Sequence, residues 1–162
     1  MKFRKLLSAA ILFFAAFFVR GVEVVNAGHS GWNSRQLREI FRQELDKNRP
    51  DLIILMVGTN DNLNSYNLVP PEEFEKNLTA MAEAARASGA ELLLCEIPNA
   101  CQELMQKRHK ADFFRRETAE DKVRRANQIV AAVAEAQRIP LLKTTEILGK
   151  ATTDAASLIR NP

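Results

Sequence analysis

Two short polar segments hold most of the reactive vocabulary of this sequence: Asn26-Ala27-Gly28-His29-Ser30-Gly31-Trp32-Asn33-Ser34 and Gly58-Thr59-Asn60-Asp61. Both combine glycine with uncharged donors. A glycine lets backbone approach a bound group closely, and an asparagine amide donates a hydrogen bond without adding charge. Turns of this composition also serve simply to satisfy backbone groups at strand ends. His29 is open to two readings, a replacement base or a packing residue of the loop. His109, among Lys107, Arg108 and Lys110, is expected on a solvated surface. Gly28-His29-Ser30 invites comparison with a nucleophile elbow, but that turn requires a small residue two positions after the serine, where this chain has Trp32. A downstream acid and histidine at matching distances are also lacking.

The elements that must position these segments follow from hydrophobic periodicity. Residues 22–26 are rich in valine and predict a strand ending at Ala27-Gly28. Ser34 is the expected N-cap of a helix to about Lys47, with Leu37, Ile40, Phe41 and Leu45 on one face, and Asn48-Arg49-Pro50 ends it. The unbroken apolar run within residues 51–57 suits a strand covered on both faces, as in a parallel sheet. Pro71 opens a helix whose buried stripe is Phe74, Leu78, Met81 and Ala85, ended by Gly89. A strand over 91–97, a helix over 113–138 and a last strand at Leu141-Leu142 complete the alternation. Strands alternating with helices imply right-handed crossovers and a mainly parallel α/β sandwich. Ligands of such sheets bind outside the carboxyl ends of the strands. Residues 26–32, 58–63 and 98–112 leave strands at that end.

In order and in this context, the two polar segments resemble the second and third conserved blocks of the SGNH (GDSL-type) hydrolase family. The resemblance spans roughly residues 22–145. It implies a three-layer α/β/α, flavodoxin-like fold and cofactor-free hydrolysis of a small-molecule ester or acylated carbohydrate. Ester hydrolysis passes through a tetrahedral intermediate whose oxyanion needs preorganised donors, each worth roughly 3 kcal/mol of barrier. By resemblance Gly31 gives its backbone N–H and Asn60 its side-chain N–H to that oxyanion, and Gly58 allows the tight turn. Asp61 fixes the loop or, with His29 and Trp32, borders the substrate. Trp32 lines a subsite or packs beneath the loop. Cys101, Glu103 and Met105 fall where the family carries variable substrate loops.

The departures from the family are as informative. Its nucleophile sits in a Gly-Asp-Ser motif on the first strand, and this chain contains none. Its histidine sits in a C-terminal Asp-x-x-His motif, for which the nearest match is Asp154-Ala155-Ala156-Ser157. Neither nucleophile nor base is therefore identified. In the family the nucleophile strand lies between those matching residues 22–26 and 51–57, so a fold missing its first strand should have a gap there. Such a domain is expected to be weakly stable and prone to aggregation.

Composition narrows the partners. The chain of 162 residues has a formal charge of +3, but Lys2, Arg4, Lys5 and Arg20, all around the first apolar segment, account for the excess. No basic stripe with interleaved aromatics exists, which argues against nucleic acid. Residues 1–5 are basic and residues 6–19 apolar and uncharged, the pattern of a signal peptide or signal anchor over 1–20, with a hydrolase-type domain over 21–162. On that reading the chain is exported, and it meets a membrane only through the N-terminal segment if uncleaved. A buried core element is the alternative. Phe13, Phe14, Phe17 and Phe18 could serve a strand, although spacing and alanine content favour a helix outside the fold. Cys95 and Cys101 match no redox or zinc spacing and are read as structural, with a disulfide between them left open.

Overall fold

The computed structural model describes residues 21–148; the apolar run 6–19 and Asp154 lie outside the described residues. Helix α1 (Ser34–Asn48) starts at a capping box: the Asn33 side chain accepts from the Gln36 N–H, and the Gln36 side chain accepts from the Asn33 N–H. Asn33, not Ser34, is thus the cap. Arg49 ends the helix in a left-handed conformation. Strand β1 (Leu52–Leu55) leads to the short helix α2 (Thr59–Leu63), and Pro71 opens α3 (Pro71–Ser88) at its first turn. Strand β2 (Glu91–Cys95) follows, then α4 (Gln102–Arg108), α5 (Ala119–Gln137) and β3 (Leu141–Leu142).

The expected helix over 113–138 is shorter than its periodicity suggested. Thr118 caps α5 through a reciprocal pair with Asp121, and residues 111–114 form a separate 3-10 turn in which Phe113 and Phe114 meet edge to face. Local capping chemistry overrides the continuing apolar pattern.

The sheet is wholly parallel in the order β1-β2-β3, with Leu52 opposite Glu91, Leu55 opposite Leu94 and Leu94 opposite Leu141. Both crossovers step the same way across it. Because such crossovers are right-handed, the helices that make them fall on the same side. There Phe41 and Leu45 of α1, Phe74, Leu78 and Met81 of α3, and Val123 and Val130 of α5 join Leu55, Val57, Leu92 and Leu94 in one core. Beyond β2 the side chain of Asn127 accepts from the Ile97 N–H and donates to the Ile97 carbonyl, at 2.9 and 3.0 Å. A buried amide thus completes the pairing where the strand stops.

Residues 22–26 correct the sequence reading. They form no strand and pair with nothing in the sheet, and Val22 and Val24 are 94% and 87% exposed. Valine-rich alternation makes a strand only where an edge is available to pair with it. Here a groove of about 440 Å³ separates residues 25–29 from the free edge of β1, with Leu37, Phe41 and Leu45 also lining it. Both cysteines are free, Cys95 buried and Cys101 exposed, and burial pushes the Cys95 thiol up.

Candidate functional site

The turn after β1 is built around Gly58. Its φ of 127° is closed to ordinary side chains, and a Cβ there would lie 2.7 Å from Cζ of Phe74. Only glycine can pass between the strand and α3, and this passage aims α2 back toward the first polar turn. Asn60, on α2, then donates from Nδ2 to the Trp32 carbonyl at 2.9 Å. One amide hydrogen is spent on that bond. The second has no partner among the described residues, and Asn60 lines the groove at the carboxyl end of β1.

Asp61, the next residue, faces the other way. It is fully buried, and both carboxylate oxygens accept from the Ser34 N–H at 3.0 Å. That N–H is one of the unpaired donors of the first turn of α1, where negative charge is favoured. Burial raises the Asp61 pKa, opposed by the hydrogen bonds from Ser34. Asn77 of α3 donates to the Ser34 hydroxyl at 2.9 Å, Asn33 donates to the Asn67 carbonyl, and Asn62 donates to the Gly58 carbonyl. Of the two roles open to Asp61, this burial under the first turn of α1 fits fixing the loop.

The rings of His29 and Trp32 stack with centroids 4.0 Å apart at 13°, and both line the same groove as Asn60. Gly31 occupies the exposed turn beside them with φ 81°, and it does not itself line the groove. The structure thus brings His29, Trp32 and Asn60 to one concavity, sets Gly31 at its rim and buries Asp61 beneath.

His109 is not the solvated residue expected. It is half-buried, with Nδ1 3.4 Å from the Ser65 hydroxyl and its ring against Tyr66 and Phe114. Among the described residues no carboxylate orients this ring, so the pair lacks the third member of a proton relay. In the 98–112 segment, Met105 packs against the core, whereas Cys101 and Glu103 are exposed. Sequence reasoning missed the buried polar group of Asn33, Ser34 and Asn77. The spacing Asn33-x-x-Gln36 was the available signal for its first member; nothing local announced Asn77.

A family model for the GDSL-like lipase/acylhydrolase family matches residues 9–161. The chain belongs to that family. Among curated relatives, an arylesterase of Vibrio mimicus is 32% identical over 76 residues, which is 47% of this chain and 36% of the relative. The esterase TesA of Pseudomonas aeruginosa is 36% identical over 74 residues, 46% of this chain and 35% of the relative. The matches thus span about a third of each relative's length. A crystal structure of TesA is 25% identical with a TM-score of 0.56, covering 82% of this chain and 64% of that one. An α/β hydrolase enzyme from the metagenome of Lake Arreo, Spain, gives a TM-score of 0.67 at 22% identity, over 92% of this chain and 66% of that one, and so speaks to the fold alone. The GDSL-family fold here is the three-layer α/β/α class on a parallel sheet of three strands. Among the described residues, no helix is long and apolar enough to cross a membrane.

Proposed function

We propose that this chain carries the oxyanion-binding part of an SGNH-type ester hydrolase whose substrates are small acyl esters or acetylated carbohydrates. The observation that supports the reading best is the amide of Asn60. One of its hydrogens is anchored on the Trp32 carbonyl and the other is left for a ligand, beside the groove at the strand carboxyl ends. Gly31, at the rim, would add its backbone N–H once a substrate oxygen sits between them. Nucleophilic attack and proton transfer need a serine, a histidine and an acid in hydrogen-bonded sequence, and the sequence has no Gly-Asp-Ser to supply the first. The chain alone is therefore expected to turn over little or no ester.

The test is release of nitrophenol from short-chain nitrophenyl esters, with Asn60→Ala as control. The expected result is release no faster than spontaneous hydrolysis in buffer for both proteins. Turnover abolished by Asn60→Ala would keep the oxyanion role and overturn the inactivity. Reading the flanking genomic DNA for in-frame or frameshifted Gly-Asp-Ser and Asp-x-x-His motifs tests the same point from outside the protein.

A second reading is a non-catalytic module that holds a small polar ligand in the same groove, favoured by the stacked His29–Trp32 pair, a platform suited to a sugar ring. Calorimetric binding of acetylated xylo-oligosaccharides that disappears with Trp32→Ala, with neither motif in the flanking DNA, would favour it over a damaged hydrolase.

A further inference from the structure

Charge is unevenly spread over the described residues. Residues 107–116 hold five cations against one carboxylate, Asp112, whereas the rest of residues 21–148 holds twelve cations against eighteen carboxylates. Asp112 is taken by Arg115 at 2.8 Å. Among the described residues Lys107, Arg108, Lys110 and Arg116 form no ion pair, and all four are exposed. A basic segment on an otherwise acidic domain is drawn to an anionic partner and turned toward it by repulsion of the remainder.

The same surface carries apolar side chains. Met105 of α4 packs against the core, while Leu104, Lys107 and Arg108, spaced by three and four residues, form a stripe in which Leu104 is 58% exposed. Tyr66, 70% exposed, joins it from the loop after α2: the Lys110 ammonium lies 5.5 Å from the centroid of its ring, and the rings of Tyr66 and His109 are 6.2 Å apart. With the Ser65 hydroxyl against Nδ1 of His109, the segments that follow β1 and β2 are tied together, so cations and apolar side chains are held on one surface before any partner arrives. A nucleic acid or a polyacidic peptide answers the charge alone. Lys110 already occupies a face of Tyr66, which disfavours stacking of a base there. An anionic lipid surface answers both features, because its phosphates meet the cations while the boundary beneath them takes a leucine and a tyrosine ring.

We propose that this surface docks on a membrane rich in anionic lipid, with Leu104 and Tyr66 at headgroup depth and Lys107, Arg108 and Lys110 on the lipid phosphates. The contact is separate from any that the N-terminal apolar run makes. It requires no ester chemistry, so its failure and that of the functional reading are separable.

The test measures partition of the full chain onto sedimented vesicles of equal parts phosphatidylcholine and phosphatidylserine, with vesicles of phosphatidylcholine alone beside them. The variant Lys107→Glu, Arg108→Glu, Lys110→Glu is compared with Arg42→Glu, Lys47→Glu, Lys76→Glu, an equal change of charge at exposed sites on α1 and α3. The N-terminal segment is the same in both. The first variant should lose at least about 30-fold in partition onto the anionic vesicles and the second less than about 3-fold. Leu104→Ser with Tyr66→Ser should lose about 10-fold with every charge in place. Equal losses in the two charge variants, or no loss in the first, would overturn the proposal, since net charge or the N-terminal segment would then account for the binding. Vesicle binding indifferent to Leu104 and Tyr66 would overturn it as well. So would binding of polyglutamate or duplex DNA through the same cations without binding of vesicles, which would point to an acidic polymer. Circular dichroism melts separate lost binding from lost folding. If the glutamate variant melts early, Lys107→Gln, Arg108→Gln, Lys110→Gln takes its place, with an expected loss of about 10-fold.

Discussion

Neighbouring residues of β1 live in opposite environments. Leu55, like Val57 just beyond the strand, is buried against the helical layer, whereas Ile54 and Met56 are more than half exposed, although all four are large and apolar. An apolar run reports how many faces a strand is built to have covered. Which segment covers each face is decided by the handedness of the connections and by chain far away in sequence.

The largest expected effect tests that contrast directly. Leu55→Ala should destabilise the protein by about 2–5 kcal/mol, the range for truncating a buried leucine. Ile54→Ala, at a side chain 66% exposed, should cost less than about 0.5 kcal/mol. Urea unfolding midpoints of the two variants against the unsubstituted chain decide the matter. A chain beginning at Gly21 should also melt early and aggregate, and a cooperative transition well above physiological temperature would contradict that.

The two glycines of the polar turns give the next pair. Gly58→Ala meets both an unfavourable φ and Phe74, so a loss of roughly 2–4 kcal/mol is expected. Gly31→Ala, where a Cβ meets nothing within 4 Å, should lose only about 1–2 kcal/mol from φ alone. Comparable losses at both sites would mean that the Phe74 contact relaxes freely.

The smallest effect concerns pH. Burial raises the Asp61 pKa above the ordinary aspartate value of 3.8, so between 3.8 and the raised value the folded protein binds more protons than the unfolded one. Through that window the Asp61 contribution makes the protein more stable as pH falls and less stable as it rises. Asp61→Asn should remove this component, so the wild-type chain should gain stability relative to the variant on acidification. Chemical denaturation of both proteins from neutral pH to below 4 checks the sign.

The parallel alternation of strands and helices was legible because each β segment was a continuous apolar run and each long helix carried a buried stripe with its own stop signal. The turn that holds Gly58 and Asn60 was legible as a strand-end loop because it follows such a run. Residues 22–26 misled, since a valine-rich segment looks the same whether or not an edge is present beside it. The sequence left Asp61 between fixing the loop and bordering the substrate because spacing cannot show direction: successive residues of one helical turn point to different sides, and here one meets the groove while the next is sealed under α1. The setting of His109 depended on Ser65, a partner 44 positions away, and no local pattern encodes that.

The paired grip of α2 on the first turn has a consequence in time. Asn60 holds the Trp32 carbonyl and Asp61 holds the Ser34 N–H, so two adjacent residues seize opposite polarities of nearly the same stretch of backbone. The Ser34 amide can exchange its hydrogen with solvent only when α2 lets go. Its exchange rate is therefore a clock for the opening of the whole turn, and a ligand that engages Asn60 should slow that clock without ever touching Ser34.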